Sequence, residues 1–318
     1  MTKEGVRRVV PLTFGWEDLP ETVSIHEGDP TVRLREPVPG VLLEVDGGWL
    51  LLDTGFNVPI VRDPLLYRRF HGRNHDIRAE LLPGDGDSLE VAFETVGVDP
   101  DDVAVVALSH LHNDHAGGLR WFAERVPVHV QRRELEYGLS GHPGPEEHGV
   151  HRVDFDDPVI DWRLADGEVA IATGVTAVPT YGHTPGHQSF VVTLDADAAD
   201  AYGVPGFVLA FDAADLQRNI DDEVAVGGFI DCPPEQTVEA IRRLKAIAAE
   251  RGYRLVPGHD PDVWPAFTSA LGVPGPGGPP WPSGPGGAAT GTAAGAAATA
   301  QTVEGPGTDR AARRRGAG

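Results

Sequence analysis

A single cysteine, Cys232, stands in 318 residues. An intrachain disulfide is therefore excluded, and so is a cysteine-rich metal site; any metal has to be held by histidine and carboxylate. Lysine is nearly missing as well: Lys3 and Lys245 are the only two, and arginine supplies the rest of the positive charge. No stretch approaches the roughly 20 apolar residues that span a bilayer. The opening MTKEGVRRVVPLTFG has two arginines but no apolar run behind them, so it does not read as a secretory signal, and a cytoplasmic location is expected. Positive charge is scarce overall, with Lys+Arg 26 against Asp+Glu 48 and a formal net charge of −22. That balance argues against nucleic acid and against an anionic membrane surface, both of which call for a basic face. A small molecule is the expected partner, for a chain that is a monomer or homodimer.

What is present is enough apolar material, 41% of residues, for a sizeable core. Composition changes sharply after Leu271. From Gly272 to Gly318 the chain is mostly Gly, Pro, Ala and Thr, and it carries the basic run Arg313-Arg314-Arg315. Such a segment buries too little surface to offset its ordering entropy. The expectation is a folded domain over 1–271 and a disordered tail over 272–318.

Within 1–271 strand and helix patterns alternate. Val41–Val45 and Trp49–Asp53 are apolar runs joined by Asp46-Gly47-Gly48, a hairpin signal. Val103–Leu108 is a continuous apolar run, as in a strand buried on both faces. Further strands are predicted at Val128–Gln131, Val169–Ala172, Thr176–Val178, Gln188–Leu194 and Phe207–Phe211. Helices are predicted at Ser88–Val96, Gly118–Arg125 and Glu235–Glu250; the last has Pro233-Pro234 before it and Gly252 after it. The class is α/β, in layers.

The chemistry concentrates in Ser109-His110-Leu111-His112-Asn113-Asp114-His115-Ala116-Gly117-Gly118. Four potential ligands fall within six residues, directly after an apolar strand. In extended chain, side chains at i and i+2 point the same way, so His110 and His112 can share one metal. A turn near Gly117-Gly118 would aim Asp114 and His115 at a second. Imidazole and carboxylate suit zinc and other borderline divalent ions. Two metals about 3.5–4 Å apart need more donors, usually including a shared carboxylate. His183, Asp212 and His259, each at the end of a predicted strand, fit that need.

The order Leu52-Asp53-Thr54-Gly55, then HxHxDH, then His183, Asp212 and His259, resembles the metallo-β-lactamase superfamily over roughly residues 40–265. The resemblance implies an αββα sandwich of two facing mixed sheets flanked by helices. It implies a first metal on His110, His112 and His183, a second on Asp114, His115 and His259, and Asp212 between them, with Asp53 orienting the site through hydrogen bonds. Within the superfamily, SHLHNDHAGGL (Ser109–Leu119), GHTPGHQS (Gly182–Ser189), Asp212-Ala213-Ala214 and the helix before the metal strand are most similar to the N-acyl homoserine lactonases. That family opens a lactone ring by attack of a hydroxide held between two divalent ions, most often zinc. Asp114 and Asp212 would be the carboxylates nearest the reaction, and Asp114 could manage protons.

One position departs. Those lactonases carry a tyrosine three residues after the shared aspartate, and here that position is Asp215; Tyr181 and Tyr137 are possible substitutes, each better read as a packing residue. Neighbouring activities are another lactonase, of aromatic or pyridoxolactone type, a glyoxalase II-like thioesterase, and an iron-dependent persulfide dioxygenase. The segment Gly55–Asp87 is expected to form the substrate pocket. His187 is expected to structure its loop, and His71, His75, His142, His148 and His151 to lie on the surface. Phe14 and Trp16 are expected in the core.

Overall fold

The computed structural model describes residues 4–71, 77–228 and 232–273. Twelve strands are found among them: β1 (Arg8–Pro20), β2 (Arg33–Val45), β3 (Gly48–Leu52), β4 (Arg78–Leu81), β5 (Val103–Ala107), β6 (Pro127–Gln131), β7 (Asp161–Ala165), β8 (Val169–Ala172), β9 (Val175–Pro179), β10 (Gln188–Thr193), β11 (Gly206–Leu209) and β12 (Arg254–Val256). One sheet runs β4-β1-β2-β3-β5-β6-β7 and the other β12-β11-β10-β9-β8. Both are mixed: β3, β5, β6 and β7 pair in parallel, as do β11 and β12, and the other neighbours are antiparallel.

The period-2 alternation of strands sorts the apolar residues into layers. Val41, Leu43, Leu50 and Leu52 point one way and meet Ala177, Phe190, Val192, Phe207 and Leu209 of the second sheet. Leu42 and Leu51 point the other way, onto Phe93 and Ala92 of the helix Ser88–Val96. On the far side, Val191 and Val208 pack on Ile241 and Leu244 of the helix Pro234–Arg251. The result is helix, sheet, sheet, helix, the αββα arrangement expected. At about 25 cal/mol per Å² of apolar surface, the seam between the sheets is the main stabilising term.

The ends of these elements follow local chemistry. Asp87 accepts from Leu89 N at 3.1 Å and forms a capping box with Glu90, and Gly97 closes that helix at φ 68°. Pro234 opens the long helix and Gly252, at φ 66°, ends it.

One predicted element is overturned, and several elements went unread. No helix covers Gly118–Arg125: the chain makes a single 3-10 turn over Leu119–Trp121, with Leu119 and Phe122 buried. The strand β1 was not among the predicted strands; its pairing with β2 carries a register shift between Thr13 and Gly15. The helix Val263–Ala270, whose Trp264 and Phe267 seal the seam, also went unread. Phe14 is buried in the core as expected, whereas Trp16 is half-buried with Arg35 stacked over its ring at 4.1 Å. The tail from residue 274 onward and His75 lie outside the described residues. Among those residues, no helix is long and apolar enough to cross a membrane.

Candidate metal centre

Strand ends converge on one edge of the sandwich. Asp53 follows β3, the HLHNDH turn follows β5, His183 lies between β9 and β10, Asp212 follows β11 and His259 follows β12. The first sheet thus supplies five groups and the second three. All seven ligands expected from the sequence meet here. His110, His112, His183 and Asp212 offer ligand atoms within 4.8 Å of one another, and Asp114, His115 and His259 form a second such group. All seven are buried.

Asp212 joins the two groups. Its Oδ2 lies 3.3 Å from His183 Nε2 and 3.7 Å from His110 Nε2, while its Oδ1 lies 3.1 Å from both His115 Nε2 and His259 Nε2. One carboxylate therefore faces both clusters, one oxygen to each. His183 Nε2 and His112 Nδ1 face each other at 2.8 Å, and Asp114 Oδ2 is 3.1 Å from His115 Nε2.

The far side of three of the rings, His115, His110 and His259, is held, which fixes the face turned inward. Asp53 Oδ2 takes His115 Nδ1 at 2.8 Å, and Asp53 also accepts from Ser109 N and Ser109 Oγ, each at 2.6 Å. His110 Nδ1 is 2.9 Å from Ser109 Oγ, leaving a buried Nε2 with no hydrogen-bond partner. Pro37 O holds His259 Nδ1 at 2.9 Å. Two non-glycine residues at the site take left-handed backbone, Asp53 at φ 57° and Phe211 at φ 48°, a strain found where surroundings over-determine a functional geometry. The turn itself needs Gly117, because a Cβ there would sit 2.1 Å from Asn57 N and 2.4 Å from Asn113 O.

Electrostatics agree with a cation site. Burial lowers the pKa of His110 and His112 well below normal, and that of His183 to about 3, so these rings are neutral, the form in which imidazole ligates a metal. Burial opposes charge on His115 and His259 too, but the neighbouring carboxylates outweigh it; His259 rises to about 10, chiefly through Asp212. Burial likewise works against Asp114 and Asp212, and the nearby imidazoles prevail, taking Asp114 down to about 2. Orphaned imidazole nitrogen, an all-N/O donor set and a shared carboxylate fit a pair of borderline divalent ions.

Asp53→Asn will weaken metal binding by about 10–100-fold, the range for partners that orient histidine ligands. Asn presents an NH₂ where His115 or Ser109 now donates, so one of those bonds is lost. Chelator competition on the folded variant measures this, and an unchanged affinity would refute the role given to Asp53.

Above these seven residues opens a small pocket, with a cavity volume of about 50 Å³. Leu19, Val23 and Ile77 give it apolar walls. Glu17, Glu36 and Asp215 also line it, and burial raises all three, Glu36 to about 7. Neither Tyr137 nor Tyr181 is among its walls: Tyr181 is turned toward Gln131 and Tyr137 packs on the core. Of the segment Gly55–Asp87, His71 and Ile77 reach the pocket.

His187 does structure its loop, with Nδ1 2.9 Å from Thr180 Oγ1. His142 is exposed and His148 half-buried at the pocket rim. His71 and His151 are not surface residues. Both are buried, His71 stacked on Tyr67 at 4.8 Å and 3.1 Å from Asn113 Nδ2. Sequence reasoning also missed Glu17, Glu36 and Glu134. The first two are directly paired across β1 and β2, a like-charge juxtaposition that is ordinarily unfavourable and visible only once the register is known.

The fold and the paired histidine–carboxylate clusters define a metallo-hydrolase, and the chain belongs to the metallo-beta-lactamase superfamily, whose profile matches residues 35–197. Two similar proteins are the N-acyl homoserine lactonase AttM of Azorhizobium caulinodans, 32% identical over 74% of this chain and 86% of its own length, and the N-acyl homoserine lactonase AiiA of Bacillus thuringiensis subsp. kurstaki, 31% identical over 73% and 84%. A solved N-acyl homoserine lactone hydrolase with N-hexanoyl-L-homoserine, its product, bound at the catalytic metal centre superposes with a TM-score of 0.67. It is 27% identical, covering 81% of this chain and 94% of that one.

Proposed function

We propose that this chain is an N-acyl homoserine lactonase, working in the cytoplasm with two zinc ions and carried by residues 1–271. The observation that carries the reading is Asp212, one carboxylate with an oxygen toward each of two buried ligand clusters. The lactonase relatives, similar over most of their length, supply the substrate class.

His110, His112 and His183 would hold one ion, Asp114, His115 and His259 the other, and Asp212 both. The ions would supply an ionised water at neutral pH, lowering its pKa from 15.7 toward ~7, and would polarise the ester carbonyl. Everything else falls to the protein. Asp53 and Pro37 O keep His115 and His259 turned inward, so the donor set is in place before substrate arrives. Asp114, whose Oδ2 lies 3.1 Å from His115 Nε2, would take up the proton of the attacking water. When the ring C–O bond breaks, that proton passes to the leaving alkoxide, giving one carboxylic acid and one alcohol per lactone. Leu19, Val23 and Ile77 provide apolar surface for an acyl chain.

A hydrolysis panel decides the matter: acyl homoserine lactones of several chain lengths, an aromatic lactone, a thioester and a β-lactam, with metal content measured in parallel. Ring opening of the acyl homoserine lactones with two ions per chain is the expected result. Turnover of the thioester alone, or a single iron per chain, contradicts it.

A further inference from the structure

Glu134 belongs to none of the ligand groups, yet its carboxylate ties two ligand-bearing loops together. It lies in the helix Arg132–Gly138, immediately after β6, with no exposure to solvent. Oε1 accepts from Leu111 N at 3.0 Å, the peptide between His110 and His112. Oε2 accepts from Thr184 Oγ1 at 2.7 Å and from Gly186 N at 3.0 Å, both in the loop that carries His183. The loop is pressed against this helix so closely that a Cβ on Gly186 would sit 2.2 Å from Glu134 N and 2.5 Å from its Cα.

We propose that Glu134 is a positioning residue for one ion only: it sets His183 against His110 and His112, and so governs the ion those three would share. This rests on the two-ion reading above. The claim is selective because the second cluster is anchored elsewhere. His115 is held by Asp53 and His259 by Pro37 O, neither of which Glu134 touches. The three donors also make the requirement specific to a carboxylate. Gln would turn an NH₂ toward at least one of them and leave a buried donor unpaired.

The test is zinc titration of the wild type and of folded Glu134→Gln against a chromogenic chelator, with circular dichroism and thermal melts as controls. The wild type should bind two zinc per chain. In Glu134→Gln one should bind as before and the other about 10–100-fold more weakly. Gly186→Ala, which forces the same two elements apart, should give the same selective loss. In a His183→Ala background, adding Glu134→Gln should weaken binding less than it does in the wild type, since one of the two loops it ties no longer carries a ligand.

Equal weakening of both ions, additive effects with His183→Ala, or two unchanged affinities would each overturn the proposal. Should Glu134→Gln fail to fold, the Gly186→Ala titration decides by the same criteria. A wild type that binds no zinc would remove the two-ion reading and this proposal with it; a wild type with two ions and an unselective variant removes this proposal alone.

Discussion

Asp212→Asn will fold and lose turnover by roughly 10³-fold or more, at least about 4 kcal/mol of transition-state stabilisation. Among the described residues, no other proposed ligand has one oxygen toward each cluster. Its two oxygens lie 3.1–3.7 Å from imidazole nitrogens on opposite sides, so a neutral amide leaves one side without an anionic donor and turns an NH₂ toward histidines that should ligate. Both ions are then held more weakly, which distinguishes this variant from a change at His110 or His259, where one cluster suffers first. Lactone hydrolysis together with metal content measures the effect. Full activity in Asp212→Asn would contradict the central role given to this carboxylate.

Extracting the ions will lower the melting temperature by upwards of about 10 °C. An ion present at 1,000 times its Kd stabilises the folded state by about 4 kcal/mol, and each kcal/mol moves the midpoint of a domain this size by about 2–4 °C. The protein alone has a partial remedy for the buried charge. Protons on His115 and His259, favoured by Asp114, Asp53 and Asp212, stand in for the missing positive charge. That remedy gives no single centre for seven converging side chains, so the edge of the sandwich loosens first. Differential scanning of the chelated and zinc-loaded protein checks this, and coincident transitions would show that the ions contribute nothing to the fold.

Much of the candidate site was legible because its proposed ligands sit where sequence patterns are strongest. HLHNDH follows an unbroken apolar strand, and its i, i+2 spacing reads directly as shared geometry. Asp212 and His259 are ordinary residues one at a time; their order after the motif made them readable, and the parallel pairing of β11 with β12 places them side by side. Glu134 gave no such signal. Its partners Leu111 and Thr184 are 23 and 50 residues away, and nothing local distinguishes it from the exposed Glu136 two positions on. Leu119 and Phe122 have helical spacing, but close packing of Gly118 against Thr54 leaves room only for a tight turn. His71 and His151 look like loop histidines in sequence and are buried by tertiary packing near the pocket.

The most direct measurement is anomalous diffraction at the zinc edge from crystals of the zinc-loaded protein. Two peaks should appear about 3.5–4 Å apart, one among His110, His112 and His183, the other among Asp114, His115 and His259, with one Asp212 oxygen toward each. A single peak, or ions held by other residues, would contradict the account.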